Sequence, residues 1–238
     1  MDAFSGVAEL VRMTGARTHD RKFLAYIELP ANSFVVFDKA YNVYNQFAKW
    51  TTQKIWFVAR MKDNAVFHVT KVMIDNTKKK NAKGVLKEQY ITVGYKNTKG
   101  ETLRLQLRRI TFKADDGKVY VFITNNFKLS ASKVALIYKC RWMIELLFKQ
   151  IKQNFPLRYF WGNSENAIKM QVYCVLIAQL LMVVIRKKSA TKKSFANMIT
   201  LIRLLLMSYV ALFEFIKDTY KAWRKNESTP MAFSPKII

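Results

Sequence analysis

Five of the polar side chains between residues 138 and 152 recur at a spacing of three or four residues. They are Tyr138, Arg141, Glu145, Lys149 and Lys152. On a helix that turns about 100° per residue, all five fall within about 40° of Glu145, so the segment predicts one amphipathic helix with a single polar stripe. Glu145 is also nearly alone as an acid, because Glu165 is the one other acid between Asp116 and Glu214.

A carboxylate surrounded by cations suits the chemistry of a divalent metal ion bound next to phosphate groups. Hard cations such as Mg²⁺ take oxygen ligands, and Arg and Lys side chains bind phosphate. The alternative is a solvated helix surface with an Arg141–Glu145 ion pair, which contributes only about 0.3–0.5 kcal/mol. A solvated face usually mixes charges of both signs, so the isolation of Glu145 favours a site.

A second candidate carboxylate, Asp38, directly follows the apolar run Ser-Phe-Val-Val-Phe at residues 33–37. A continuous apolar run of this length is typical of a strand covered on both faces. Open α/β sheets place their active sites at the carboxyl ends of such strands. The position of Asp38 therefore makes it a candidate for the same chemistry as Glu145.

The spacing Tyr138-x2-Arg141-x3-Glu145-x6-Lys152 resembles the Tyr-Arg-Glu-Lys signature of the insertion sequence 4 family of bacterial DDE transposases. The motif Asp38-Lys-Ala-Tyr41 resembles the one that carries the second catalytic aspartate of that family, and residues 57–62 resemble its next strand. Residues 124–126 and 160–164 are similar to the segments that precede and follow the signature helix in relatives. The resemblance covers roughly residues 8 to 185.

This resemblance implies an α/β fold, a ribonuclease-H-like mixed sheet flanked by helices, with an all-β insertion before the helix that carries Glu145. The implied activity is DNA transposition, by metal-dependent cleavage and transfer of double-stranded DNA at insertion-sequence ends and into a target. In the family, two Asp and one Glu bind two Mg²⁺ or Mn²⁺ ions. Asp38 and Glu145 match two of these three catalytic, metal-binding positions.

The resemblance also implies which side chains contact DNA. On the polar stripe these are Tyr138, Arg141, Lys149 and Lys152. Further candidates for DNA contact are Arg60, Lys62, Arg158 and Trp161. Relatives assemble as dimers on paired DNA ends, although nothing in this sequence marks an interface for a homodimer.

The first aspartate of the family triad has no matching position here. It should lie on a strand upstream of one matching residues 9–14, yet only Asp2 and Asp20 precede Asp38. Asp2 has no strand before it, and Asp20 belongs to a separate His-Asp motif of the family. We therefore expect that the chain begins inside the catalytic domain, that its sheet is incomplete at the N-terminus and that activity is severely reduced. The alternative is an inactive remnant that only binds DNA.

The pattern along the chain predicts four regions. Residues 1–63 form part of the catalytic core, residues 64–126 a β-rich insertion, residues 127–190 the resumed core helices and residues 191–238 a C-terminal helical region. In the insertion, Leu103, Leu105 and Leu107 alternate with polar residues, which is typical of half-buried strands. Turn sequences such as Asp115-Asp116-Gly117-Lys118 separate these strands.

Composition indicates the partner and the compartment. The 41 Lys and Arg residues against 16 Asp and Glu give a net charge of +25, which points to a polyanion and first to nucleic acid. The N-terminus carries no secretory signal, and Cys140 and Cys174 are expected to be buried thiols in a reducing compartment, so the sequence predicts a cytoplasmic protein on the nucleoid. The apolar runs 170–185 and 198–215 are interrupted by polar residues and predict buried globular helices rather than membrane spans.

Overall fold

The computed structural model describes residues 8, 10–13, 20–78, 83–155, 157, 159–206, 211–218, 221, 222 and 224. The chain divides into two compact units, formed mainly by Leu10–Ile144 and Glu145–Ile238. Each unit has its own apolar clusters, and each is described by itself below.

The first unit contains a six-stranded sheet and two helices that pack on it. The strands are β1 (Phe34–Phe37), β2 (Trp56–Arg60), β3 (His68–Asp75), β4 (Gly84–Lys96), β5 (Thr102–Lys113) and β6 (Val119–Thr124). The helices are α1 (Tyr44–Thr52) and α2 (Ala131–Lys139). Short 3₁₀ helices cover Asp20–Tyr26 and Lys39–Tyr41.

The strands lie in the order β1-β2-β6-β5-β4-β3. β1 and β2 are parallel, and every other neighbouring pair is antiparallel. The strands of residues 68–124 therefore continue the sheet that β1 and β2 begin. This mixed sheet with helices packed on it confirms the predicted α/β class and is consistent with a ribonuclease-H-like domain.

Both faces of the sheet are apolar in its central part because a helix covers each of them. On one face, α1 buries Phe47 and Trp50, and the ring centre of Phe47 lies 4.1 Å from that of Phe57 on β2. On the other face, α2 buries Val134 and Tyr138 against a cluster that includes Val58 of β2. Successive residues of β2 are buried on opposite faces of the sheet, which explains why the sequence of β2 is a continuous apolar run.

A buried ion pair ties the antiparallel strands to the loop before α2. Arg108 on β5 is 3% exposed, and its Nε donates to Oε1 of Glu88 on β4 over 2.8 Å. The Nη1 atom of Arg108 also donates to the backbone carbonyls of Asn126, at 3.3 Å, and Leu129. The guanidinium thereby fixes the chain at the point where it leaves the sheet and enters α2, whose N-cap is Ser130.

The second unit is helical over its described residues. It contains most of α3 (Trp142–Asn154), followed by α4 (Glu165–Ser189), α5 (Phe195–Leu205) and α6 (Leu212–Lys217). α5 supplies most of the core, through Phe195, Met198, Ile199 and Ile202, and α6 adds Ile216. The prediction of a buried helix is therefore confirmed for α5.

The same prediction is wrong for α4, whose outward face is apolar. Large exposed side chains recur along it at three- and four-residue spacing, namely Met170, Tyr173, Ile177, Leu181 and Val184. Cys174 lies on this face and is exposed, whereas Cys140 is half-buried, so the expected burial of both thiols is also wrong. By length and composition, α4 is the one helix among the described residues that could span a membrane, and a single such helix is weak evidence for a span.

The strand expected over residues 9–14 is absent from the described part of that segment. Residues 8 and 10–13 form neither strand nor helix. The guanidinium carbon of Arg12 instead lies 3.5 Å from the centre of the Tyr26 ring, against the first 3₁₀ helix. Arg12 is therefore held by a cation–π contact with Tyr26 and not by the backbone hydrogen bonds of a β-strand.

The buried ion pair yields a prediction for stability. Arg108→Met should reduce the free energy of unfolding by about 3–5 kcal/mol, because it leaves the Glu88 carboxylate buried without its counter-charge. Replacing both residues by Met should restore most of this loss, since no unpaired charge remains. Arg104→Met is the matched control, at an exposed position on the same strand, and should change stability by less than about 0.5 kcal/mol. Urea unfolding followed by circular dichroism measures the three variants against the wild type. Equal effects of the two single Arg substitutions would contradict the prediction.

Candidate active site

Asp38 lies directly after β1, at the carboxyl end of that strand, and is half-buried. Its Oδ1 accepts a 2.6 Å hydrogen bond from the backbone N–H of Lys39, which caps the 3₁₀ helix Lys39–Tyr41. Within the described residues, Asp38 forms no ion pair. In a chain of charge +25, a carboxylate at a strand end without a Lys or Arg partner can serve a cation from outside the chain.

The turn after β1 is fixed to the end of β2. Asn42 is buried, and its Nδ2 donates to the backbone carbonyl of Arg60 over 2.9 Å. Because β1 and β2 are parallel, with Phe37 beside Ala59, their carboxyl ends meet at the same edge of the sheet. The sheet thus places Asp38 and Arg60 at one edge.

Arg60 is the last residue of β2 and is half-buried. Its guanidinium carbon lies 5.3 Å from the ring centre of Tyr120 on the neighbouring strand β6. Stacking on an aromatic ring holds the planar guanidinium while leaving its N–H donors available for a phosphate. Arg60, a predicted DNA contact, is therefore held in a geometry that suits phosphate binding.

Tyr138 brings the end of α2 to the same edge. Its ring is buried, 4.7 Å from the Phe122 ring, and burial is the main reason that the pKa of Tyr138 lies above its usual value. The negative charge of Asp38 raises that pKa further. The positive charges of Arg141 and Arg60 oppose the shift. The phenol therefore stays protonated and neutral at physiological pH, within the electrostatic reach of one carboxylate and two guanidinium groups.

The structure corrects the prediction of one continuous helix over residues 138–152. α2 ends at Lys139, and α3 starts at Trp142 after a turn at Cys140 and Arg141. The backbone N–H groups of Cys140 and Arg141 bond to carbonyls three residues back, each over 3.0 Å, instead of four. Such 3₁₀ geometry advances about 120° per residue, so the single 100° stripe does not run through the turn. Tyr138, which lies before the turn, packs in the apolar cluster with Val134 and Phe122.

On α3, the second unit carries the remaining three residues of the predicted polar stripe. Glu145 is half-buried in the first turn of the helix, and Lys149 and Lys152 are exposed. Their spacing of four and then three residues places all three on one face of α3. The ammonium groups of Lys149 and Lys152 therefore lie on the same face of α3 as the Glu145 carboxylate.

The outer candidates for DNA contact differ in their surroundings. Lys62 is half-buried just after β2, where its carbonyl accepts a 3.2 Å hydrogen bond from the Ala65 N–H. Trp161 is 92% exposed, and its backbone N–H donates to Oε1 of Gln171 over 3.1 Å. An indole ring held in solvent by a fixed backbone can stack or pack on a partner. Arg158 lies outside the described residues.

The donor chemistry fits a hard divalent cation only in part. Carboxylate oxygens are the ligands that Mg²⁺ and Mn²⁺ prefer, and Asp38 in the first unit and Glu145 in the second each carry a carboxylate. In the described part of the chain, however, no three His, Cys, Asp or Glu side chains form a group that could hold a metal. Other acids are tied to cations, such as Asp63, whose hydrogen bond from Lys39 lowers its pKa, and Asp75, whose pKa is about 2 because Thr77 and Lys87 donate to it.

Several residues that position the site were not identified from the sequence. Asn42 holds the turn after Asp38, and Oδ1 of Asn126 accepts the N–H groups of Lys128 and Leu129 before α2 begins. Asn125 accepts the Phe57 N–H and donates to the Ile55 carbonyl, each at 2.9 Å. The sequence signal was an amide side chain at the end of an apolar run, where backbone groups leave the sheet and need partners.

Comparison with known proteins places the chain among transposases. The family model described as "Transposase DDE domain" matches residues 1–181. A protein of Sinorhizobium fredii named as a transposase is 31% identical over 182 residues, which cover 76% of this chain and 50% of that protein. A protein of Geobacillus stearothermophilus, named as a transposase for insertion sequence element IS5377, is 29% identical over 179 residues, or 75% of this chain and 46% of that protein. The chain thus spans about half the length of these curated relatives.

The pKa of Tyr138 provides a direct test of the geometry around Asp38. Asp38→Asn should lower this pKa, because the negative charge that raises it is removed, while burial should keep it above the usual value. Asp63→Asn removes an exposed carboxylate bound to Lys39 and should leave Tyr138 unchanged. NMR titration of ¹³C-labelled tyrosine from neutral to alkaline pH, with Tyr138→Phe for assignment, measures the shift; an unchanged pKa in Asp38→Asn would show that the two side chains do not interact.

Proposed function

We propose that this chain, which belongs to the transposase DDE domain family, carries out the metal-dependent cleavage and transfer of DNA strands at insertion-sequence ends. The observation that carries the proposal is Asp38 at the carboxyl end of β1, without an ion pair in the described part of the chain, whose negative charge acts on Tyr138 together with the positive charges of Arg60 and Arg141. A carboxylate can hold a divalent metal ion and guanidinium groups can stabilise phosphate charge, and phosphoryl transfer uses both.

Asp38 and Glu145 are the proposed ligands of Mg²⁺ or Mn²⁺. When bound, the metal supplies Lewis-acid polarisation of a phosphoryl oxygen and activation of the attacking oxygen. Asp38 is kept in place by the Lys39 N–H, and an orientation fixed before the metal arrives lowers the cost of binding it. Glu145 adds a carboxylate from the first turn of α3.

The cations and Tyr138 have separate proposed roles in holding DNA. Arg60 and Arg141 bind phosphate oxygens, which a planar guanidinium can do through two hydrogen bonds at once. Tyr138 remains a neutral phenol because its pKa is raised by burial, and it positions Arg141 beside Asp38. Lys149 and Lys152 neutralise the DNA backbone from the exposed face of α3.

The proposed substrate is double-stranded DNA, at the ends of an insertion sequence and at a target. The net charge of +25 supports this choice, because neutralising phosphates releases counterions and drives binding. Action on chromosomal DNA places the protein in the cytoplasm with the nucleoid. A homodimer that pairs two DNA ends is part of the same proposal.

A second candidate function is DNA binding without catalysis. It is favoured by one observation, that no group of three metal-ligating side chains is found among the described residues. Two carboxylates with water as the remaining ligands bind a divalent ion more weakly than three. In this candidate function the Arg and Lys side chains still bind DNA, but Asp38 and Glu145 bind no metal.

Metal binding separates the two candidates. Isothermal titration with Mn²⁺ should show binding to the wild-type chain that is at least about tenfold weaker in Asp38→Asn and in Glu145→Gln, since each change removes an anionic ligand. Asp38→Asn should fold normally because Asn is an equally good cap for a helix N-terminus. Asp63→Asn, which removes a carboxylate from an exposed ion pair, should bind Mn²⁺ like the wild type.

Strand cleavage is the second readout of the same variants. With Mg²⁺ and a supercoiled plasmid that carries the inverted repeats, the wild type should nick DNA, and Asp38→Asn and Glu145→Gln should not. DNA binding without either Mn²⁺ binding or nicking would support the second candidate. Nicking that persists in Glu145→Gln would rule out its proposed role.

A further inference from the structure

One half of a sheet face in the first unit is polar and uncovered by any described element of that unit. We call this surface the polar face and define it by His68 and Lys71 on β3, Thr92 and Gly94 on β4, and Arg104 and Gln106 on β5. All of them are exposed except Thr92, which is half-buried. α2 covers only the other half of this face, over Val58, Ile110 and Phe122.

The strand register brings these residues onto one surface. His68 pairs with Thr92, which pairs with Gln106, and Gly94 pairs with Arg104. Lys71 pairs with Tyr90, two residues before Thr92 on the same strand. Directly paired residues point to the same side of a sheet, as do residues two apart along a strand. The polar face is therefore a continuous patch roughly 10 Å across, from the spacing of three strands.

No exposed acid lies within this patch in the described structure. Glu88 is on the same face, but it is 7% exposed and its charge is neutralised by Arg108. Asp75 pairs with Lys87 in the register, which places it on the opposite face. Glu101 lies in the turn beyond the strands, where its side chain accepts a 2.7 Å hydrogen bond from Asn97.

Arg104 and Lys71 thus supply positive charge, and the neighbouring His, Thr and Gln side chains supply hydrogen-bond donors. Such a set suits phosphate oxygens, which receive most protein–DNA hydrogen bonds. DNA carries one charge per about 1.7 Å of its axis with both strands counted, so a patch about 10 Å long lies along a stretch of duplex that carries roughly six phosphates in total.

The polar face is separate from the candidate active site. Arg60 lies in the row of paired residues that continues through Phe122 to Ile110 on β5. Arg104 is six positions further along β5, which is roughly 20 Å at the rise of a β-strand. Residues of the polar face can therefore be changed without touching Asp38 or its neighbours.

We propose that the polar face is a second binding surface for duplex DNA, which holds the backbone at a distance from the cleaved phosphate and reads no bases. The inference rests on the proposed function for the identity of the polyanion. The face contributes affinity through charge and hydrogen bonds to phosphates, so its effect depends on salt and not on sequence.

Gly94 allows an acid to be placed in the centre of the patch. A Cβ atom added there meets nothing within 4 Å, and the position does not have a positive φ. Gly94→Glu should bind a 30-base-pair duplex of arbitrary sequence about tenfold more weakly than Gly94→Gln at about 0.1 M salt, since the charge repels phosphates. Gly94→Gln has the same size without the charge and should bind within about twofold of the wild type.

Removal of charge is the complementary test. Lys71→Gln with Arg104→Gln should reduce the slope of log K against log salt concentration by about 1.8, or about 0.9 for each phosphate that is no longer neutralised. Lys22→Gln with Lys49→Gln is the matched control. It removes two exposed cations from elements that pack on the opposite face and should leave the slope nearly unchanged. Fluorescence anisotropy without metal measures binding, and circular dichroism confirms that each variant is folded.

The outcomes separate this inference from the proposed function. Wild-type binding that survives unchanged in Gly94→Glu and in the Lys71/Arg104 pair would overturn the inference alone. Equal losses of affinity in the two double variants would also overturn it, because total charge and not location would then set affinity. A wild-type chain that binds no duplex at any salt concentration would overturn both.

Discussion

The Arg108 guanidinium is the constraint on which the first unit depends, because a charge with 3% exposure must be compensated on every side. Glu88 supplies the opposite charge, and the carbonyls of Asn126 and Leu129 supply acceptors. These partners lie on β4 and in the loop before α2, so satisfying one cation fixes the start of α2 relative to the sheet. The far end of the same helix then delivers Tyr138 to the edge where Asp38 lies. The Arg108–Glu88 pair on the antiparallel strands β5 and β4 thereby helps to set where Tyr138 lies relative to Asp38, at the end of the parallel strand β1.

The sequence was sufficient to predict the strands at the site, because periodicity and turn chemistry report local structure. The run 33–37 appears as β1, and residues 57–60, which resemble a strand of the family, lie in β2. Burial was less predictable, since it depends on what packs against each element. Arg108 alternates like the exposed Arg104, yet it is buried because the loop before α2 lies over it. The apolar patterns of α4 and α5 both predicted buried helices, but α5 supplies most of the core and α4 leaves an apolar face exposed.

For the candidate site, residue types and spacing identified the Asp38 edge but not its internal arrangement. Asp38 and Arg60 could be placed at the same edge because parallel strands share their carboxyl ends. The turn at Cys140 was invisible to a periodicity of about 100° per residue, since no Gly or Pro marks it and it is made by backbone hydrogen bonds alone. The amides of Asn42 and Asn126 escaped notice because their partners are backbone groups, which the sequence does not distinguish.

The central claim is that Asp38 and Glu145 bind the divalent ion that a DDE transposase uses. Anomalous scattering from crystals of the wild-type chain grown with Mn²⁺ tests it most directly, because it locates the ion without assuming any ligand. The account predicts an anomalous peak about 2.0–2.3 Å from carboxylate oxygens of both Asp38 and Glu145. Mn²⁺ bound only at surface acids such as Asp63 or Asp116, with neither Asp38 nor Glu145 as a ligand, would contradict it.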